Sequence, residues 1–155
     1  MKKAQITGIG FHVPERIVTN QDLEKIMDTS DQWIQERSGI TQRHWVDKES
    51  NASILAIQAA KNAILDAKID VNDIDLVICA TLTSDYFFPG ISNQIQHELG
   101  MKTVGAFDIK AACSAFVYSL SIGDQFIRTE QYKTILIVGA EVQSTALDIS
   151  DEGRN

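Results

Sequence analysis

Cys113 is the residue whose type and position point most directly to chemistry. It follows a predicted strand by four residues and lies at or near the first turn of a long predicted helix, among the small residues Ala111, Ala112, Ser114 and Ala115. A helix N-terminus directs unpaired N–H groups and a positive partial charge at such a sulfur, which favours thiolate over thiol. Open α/β sheets also bind their ligands at the carboxyl ends of parallel strands. Free cysteine is one of the most buried residue types, so the position of Cys113 alone leaves two interpretations open, a nucleophile and a packing residue.

Cys79, the second cysteine, lies in the middle of a predicted strand between Ile78 and Ala80, and we expect it in the core. Neither cysteine belongs to a CxxC pair or to a Cys/His spacing typical of zinc sites, so no metal site is predicted. Both thiols are expected to be free, in a reducing, cytoplasmic setting.

The composition bounds the possible partners. The 155 residues, 44% of them hydrophobic, suffice for one buried core, which predicts one domain or a piece of a larger protein. The net charge of −7 argues against nucleic acid as a partner. No apolar run approaches the roughly 18 residues of a membrane span, and the start does not resemble a signal peptide. We therefore predict neither a nucleic-acid nor a membrane partner.

Hydrophobic patterning predicts alternating strands and helices. The predicted strands are 3–13 (buried), 75–83, 103–109 and 133–142, and the predicted helices between the later strands are 52–68, 91–99 and the long helix that begins near Cys113. Helical crossovers between strands require a mostly parallel sheet, so the predicted fold class is α/β with helices on both faces.

A polar stretch separates the first predicted strand from the first long helix. It carries two short helical patterns, for which we predict Asn20 and Ser30 as N-caps and Gly39 as the residue that ends the second. Residues 41–49 are charged and are predicted to form a surface loop.

Several segments resemble one enzyme family. The segment GAFDIKAACSAFVYSL around Cys113 resembles the active site of β-ketoacyl-acyl-carrier-protein synthase III, a thiolase-like condensing enzyme of fatty-acid biosynthesis. Three further segments resemble the same family: GIGFHVPERIVTNQDLEKIMDTSDQWIQERSGITQRH, ICATLTSDYFFPGISNQIQHELG and ILIVGAEV. The resemblance covers essentially all 155 residues. It implies that residues 1–155 are an amino-terminal thiolase-like domain, one half of a duplicated fold, truncated before the glycine-rich fifth strand of that half.

The resemblance implies roles for individual residues. Cys113 corresponds to the acyl-accepting cysteine of the family. Trp33 and Arg37 correspond to residues that hold coenzyme A, and their spacing of four places them on one helical face. Thr29 corresponds to a hydrogen-bonding partner of the adenine, and Arg154 to an arginine at the mouth of the substrate tunnel. Without the family, a half-buried tryptophan beside a solvated arginine is the simpler interpretation.

Phe88 corresponds to an aromatic residue that closes the acyl pocket of the neighbouring subunit, which implies a homodimer. The alternative is that Phe87 and Phe88 pin their loop to their own domain. None of the histidines, His12, His44 and His97, matches the base of the family, and each is expected to be structural or exposed.

The implied activity is that of an acyltransferase. Cys113 takes the acyl group of a short acyl-CoA, expected to be acetyl-CoA, and malonyl-acyl-carrier protein then condenses with it; acyl-CoA is a substrate, and no cofactor is implied. The family uses a histidine and an asparagine that lie beyond residue 155, so this chain alone is expected to be inactive in condensation. Two alternatives stay open: a related condensing enzyme that makes a quinolone, polyketide or long-chain ketone, and a non-catalytic dimerisation or binding module.

Overall fold

A computed structural model describes residues 2–148 as two compact units. The strands are β1 (Ile17–Thr19), β2 (Gln42–His44), β3 (Leu76–Ala80), β4 (Gly105–Ile109) and β5 (Ile135–Gly139). The α-helices are α1 (Asn20–Glu24), α2 (Asp31–Ser38), α3 (Ala52–Ala67), α4 (Ile91–Glu98) and α5 (Ala115–Arg128). The first unit combines residues 2–12 with Asn51–Glu141, and the second combines Val13–Ser50 with residues 142–148.

The first unit is built on a three-stranded parallel sheet in the order β4-β3-β5. All five residues of β3 are buried, as expected for a continuous apolar run in a central strand. In register, Leu76 lies between Gly105 and Ile135. The predicted parallel α/β arrangement is therefore confirmed.

Helices cover both faces of this sheet. Helix α5 packs on β3 and β5, and a Cβ at Gly123 would lie 2.9 Å from Cδ1 of Ile137, so helix and strand approach closely. Helix α3 packs against α4 and β5, while α4 packs against β3 and β4. The bounds of α3 and α4 agree with the predicted helices to within a residue.

The predicted buried strand 3–13 is wrong, because the described chain forms no strand there. Its part in the first unit lies along α3: Ile9 N–H donates to Asp66 Oδ2 at 2.9 Å, and Asn62 Nδ2 donates to the Phe11 carbonyl at 3.0 Å. Ile9 and Phe11 are 72% and 78% exposed. A strand needs a neighbouring strand for its backbone hydrogen bonds, and none of the described strands pairs with this segment.

The second unit holds α1, α2 and an antiparallel pair, β1 with β2. Val18, Leu23 and Ile34 form its small apolar core, with Met27 and Trp45 packed against them. Strand β2 corrects the prediction that residues 41–49 form only a surface loop.

The helix caps of this unit were predicted in part. Ser30 Oγ accepts from Trp33 N–H at 3.1 Å, and Gly39 ends α2 with a φ of 71°, as predicted. The cap of α1 is Thr19 rather than Asn20, which is the first helical residue and is fully buried. Among residues 2–148, no helix has both the length and the apolar content needed to cross a membrane.

Candidate functional site

Cys113 lies at the junction between sheet and helix in the first unit. Strand β4 ends at Ile109, and Cys113 is the middle residue of a short 3-10 turn, Ala112–Ser114, that continues directly into α5. Its side chain is exposed and its thiol is free. The spacing predicted this position, whereas the chemical role of the thiol stays a prediction.

The turn that contains Cys113 carries backbone strain. Ala112 has a φ of 48°, in the left-handed region that costs an L-residue roughly 1–2 kcal/mol. A hydrogen bond from Ser114 N–H to the Ala111 carbonyl, at 3.1 Å, closes the turn. Strain of this kind is often retained where a side chain has to be presented for function.

Cys79 has the opposite environment. It lies in β3 with none of its surface exposed. Burial, and then the negative charges of Asp108, Glu141 and Asp85, raise the pKa of its thiol. This thiol is a packing residue, as predicted.

Trp33 and Arg37 lie on α2, in the second unit. The Arg37 guanidinium carbon lies 5.4 Å from the centre of the Trp33 ring, and the indole is 55% exposed. One face of the indole therefore has a cation near it, in the range of a cation–π contact. Thr29 is half-buried and precedes Ser30, the cap of this helix. The role of this pair in binding coenzyme A stays a prediction, and the same contact occurs in a solvated surface pair.

Phe88 lies in the loop between β3 and α4, where aromatic side chains protrude. Phe87 and Phe88 are 98% and 83% exposed, and Tyr86 is 61% exposed. Lys110 Nζ lies 5.7 Å from the centre of the Phe87 ring, on the segment that leads from β4 to Cys113. Because Phe87 and Phe88 are so exposed, their packing does little to pin the loop to its own unit.

Two carboxylates hold the ends of this loop, and neither was predicted from the sequence. The Glu141 carboxylate accepts from Leu82 N–H and from the Thr83 hydroxyl at the start of the loop. At its end, the Asp108 carboxylate accepts from Ile91 N–H at 2.8 Å and Ser92 N–H at 2.9 Å. Asp108 thus caps α4, because the N-cap residue Gly90 has no side chain to do so.

The predicted site residues fall into both units. Cys113 and Phe88 belong to the first, and Thr29, Trp33 and Arg37 belong to the second. Arg154 lies outside the described residues.

The histidines and acids of the described chain form no metal site. Within residues 2–148, no group of three or more His, Cys, Asp or Glu side chains could hold an ion. His12 and His97 are exposed, and His44 Nδ1 is hydrogen-bonded to the Pro14 carbonyl.

Comparison with known protein families gives one consistent result. The family model described as 3-oxoacyl-[acyl-carrier-protein (ACP)] synthase III matches residues 107–155, which include Cys113. A β-ketoacyl-[acyl-carrier-protein] synthase III of Ehrlichia canis is 48% identical over 151 residues, covering 97% of this chain and 47% of the relative. The chain spans about half the length of such relatives.

Solved structures show the same fold. The 3-oxoacyl-[acyl-carrier-protein] synthase III of Aquifex aeolicus superposes with a TM-score of 0.91 at 45% identity, over 95% of this chain and 47% of that one. The priming β-ketosynthase of a polyketide biosynthetic pathway superposes with a TM-score of 0.90 at 31% identity, over 95% of this chain and 44% of the other. The thiolase-like fold class is confirmed, and the matched part is consistent with an amino-terminal half.

Proposed function

Because this chain matches one half of β-ketoacyl-[acyl-carrier-protein] synthase III in sequence and fold, we propose that it forms the acyl-accepting part of a condensing enzyme of fatty-acid chain initiation. One observation carries the proposal. Cys113 is an exposed free thiol at the carboxyl end of β4, in the turn that begins α5 and within the segment matched by the family model. Binding sites in open α/β sheets are expected at this end of the strands.

The proposed first step is acyl transfer to Cys113. Its thiolate attacks the carbonyl carbon of a short acyl-CoA, with acetyl-CoA as the expected substrate, and forms the new carbon–sulfur bond. The thioester bond to coenzyme A breaks, and coenzyme A leaves as a thiolate that takes up a proton. The Cys113 backbone N–H is proposed as one donor to the oxyanion of the tetrahedral intermediate.

The coenzyme A part of the substrate is assigned to α2. An indole that is about half exposed offers a face on which adenine can stack, and a neighbouring guanidinium suits a phosphate. Trp33 and Arg37 are proposed for these two contacts, with Thr29 as a hydrogen-bonding partner of the adenine.

The proposed second step uses malonyl-acyl-carrier protein. Loss of carbon dioxide gives a carbanion that attacks the acyl-cysteine, releases the Cys113 thiolate and yields a 3-oxoacyl product. The resemblance assigns this step to a histidine and an asparagine outside the present sequence, and assigns Phe88 to the acyl pocket of the partner in a homodimer. The strong exposure of Phe88 supports that assignment.

Acyl-enzyme formation tests the proposal. The protein is incubated with acetyl-, butyryl- and lauroyl-CoA, and its intact mass is measured beside that of a Cys113→Ser variant. We expect the mass of one acyl group on the parent and none on the variant, and a Cys79→Ser variant, which changes only the buried thiol, should acylate like the parent. Equal acylation of Cys113→Ser would refute the assignment.

A related condensing enzyme of polyketide synthesis is the second candidate. It is favoured by the 31% identity and the TM-score of 0.90 to a priming β-ketosynthase of such a pathway. The same acyl-CoA series separates the two, because fastest acylation by a chain other than acetyl favours this candidate over an acetyl-specific initiator.

A further inference from the structure

Asn20 is a buried polar side chain for which the proposed chemistry has no use. It is fully buried, in the second unit, at the first position of α1. A buried amide is costly unless its donors and its acceptor find partners. The partners of Asn20 therefore show what the residue holds in place.

The Asn20 amide joins the two ends of α2. Its Nδ2 donates to Asp31 Oδ1 at 2.7 Å and to the Ile40 carbonyl at 2.8 Å. Asp31 is the first residue of α2, and Ile40 follows Gly39, the residue that ends it. Both amide protons are thus used, one at the start of the helix and one just beyond its end.

The Asn20 amide is itself held from the other side. Its Oδ1 accepts from Arg43 Nη2 at 2.7 Å, while Arg43 Nη1 donates to the Val18 carbonyl at 3.2 Å. This fixes the amide against the β1–β2 pair. The Asn20 hydrogen bond, followed by that of Gln35, also holds the pKa of Asp31 below its ordinary value, so Asp31 is bound as a carboxylate.

The helix that Asn20 holds is the one that carries Trp33 and Arg37. Helix α2 has eight residues and only one buried side chain, Ile34, so apolar packing alone fixes it weakly. We propose that Asn20 is a positioning residue that sets the direction of α2 and, through it, the place where Trp33 and Arg37 meet the nucleotide of coenzyme A. The inference rests on the proposed function, because it takes coenzyme A as the ligand of this pair.

Asn20→Asp is the test variant. It keeps the shape of the side chain but replaces two donors with an acceptor that faces the Asp31 carboxylate and the Ile40 carbonyl. Coenzyme A titrated calorimetrically into the full chain should bind about tenfold more weakly or worse, the loss expected when one base-stacking contact is misplaced. If Asn20→Asp does not fold, Asn20→Ser serves, because its hydroxyl can donate to only one of the two acceptors.

Thr19→Ala is the matched control. It removes the Thr19 hydroxyl from the capping box with Asp22 at the same helix, α1, and keeps the Asn20 side chain that bonds to Asp31 and Ile40. It should lower the unfolding temperature and leave the affinity for coenzyme A unchanged. Equal weakening by Thr19→Ala and Asn20→Asp would overturn the inference, because the effect would then follow stability alone.

A double-mutant cycle distinguishes positioning from general damage. In a Trp33→Ala/Arg37→Ala background, adding Asn20→Asp should change the affinity no further, since the side chains that it positions are gone. An additive loss would overturn the inference. If the parent chain does not bind coenzyme A, the proposed function of the pair fails, whereas unchanged affinity in Asn20→Asp with weakened affinity in Trp33→Ala overturns only the role of Asn20.

Discussion

The two cysteines provide a sharp test of the site, because one structure predicts opposite behaviour for them. Cys113 is exposed in the turn before α5, and Cys79 is fully buried in β3. Strand β3 lies between β4 and β5, so iodoacetamide reaches Cys79 only when the sheet opens. Burial also raises the pKa of the Cys79 thiol, so little of the reactive thiolate exists in the folded state at neutral pH.

The difference in rate follows from the cost of opening the sheet. Removing the central strand from both neighbours is close to global unfolding, for which about 5 kcal/mol is the low end of native stabilities. With about 1.4 kcal/mol for each factor of ten, Cys79 should react roughly 10³–10⁴ times more slowly than Cys113.

Peptide mass spectrometry after timed labelling at pH 7 measures both rates in one sample. A Cys113→Ser variant should label slowly in buffer and quickly in guanidinium chloride, and a Cys79→Ser variant should label like the parent. Labelling of Cys79 within about tenfold of Cys113 in buffer would show that β3 opens far more easily than the buried sheet implies. Slow labelling of Cys113 would contradict its exposed position and remove the basis for its role as nucleophile.

Three further predictions concern the elements around the site. Asp108→Asn leaves one of the two N–H groups at the start of α4 without an acceptor, and should lower the free energy of unfolding by about 1–2 kcal/mol in urea titrations; an unchanged midpoint would contradict the cap. Ala112→Gly relieves the left-handed strain, and glycine loses more backbone entropy on folding, so the net effect should be a rise of about 0.5–1 kcal/mol in the free energy of unfolding. Ala112→Val should lower the free energy of unfolding. Destabilisation by glycine would argue against the strain. Burial acts to raise the pKa of Asp75, but the N–H groups of Lys133 and Thr134, together with the charges of Lys102 and Lys133, outweigh it and the pKa is lowered. A folded-state pKa below the unfolded value of about 3.9 gives stability that is present above that pH and is lost as the pH falls through the folded value. Asp75→Asn should therefore reduce the loss of stability at acidic pH. An unchanged loss at acidic pH would count against these bonds.

Elements with strong local signals were predictable from the sequence. The run LVICA predicted β3 because a short, continuous apolar segment is expected of a strand that is covered on both faces. Helices α3 and α4 followed from their period of apolar residues and from Gly100, which ends α4 with a φ of 63°. The position of Cys113 followed in turn, because it depends only on where β4 ends and α5 begins.

The segment 3–13 shows where local signals mislead. Its β-branched and aromatic residues favour extended backbone, but a strand exists only when a second strand supplies hydrogen-bonding partners. Here the segment lies beside α3, and Asp66 and Asn62 bond to its backbone instead. Propensity expresses a local preference of the backbone and could not say which neighbour the segment would have.

The residues that hold the candidate site were missed for a related reason. Asparagine is a typical N-cap residue, and an N-cap side chain bonds to an N–H group two or three residues later. The partners of Asn20 instead lie 11, 20 and 23 positions away. In the sequence, Asp108 is one polar residue near the end of a predicted strand. The N–H groups that it accepts from lie 16 and 17 positions earlier in the chain. Apolar periodicity identifies a buried face because an apolar side chain can pack against any apolar neighbour. A polar side chain needs a donor or acceptor at a defined distance and angle. Only the folded chain brings that partner into reach, so residues that position a site are harder to read from a sequence than the residues they position.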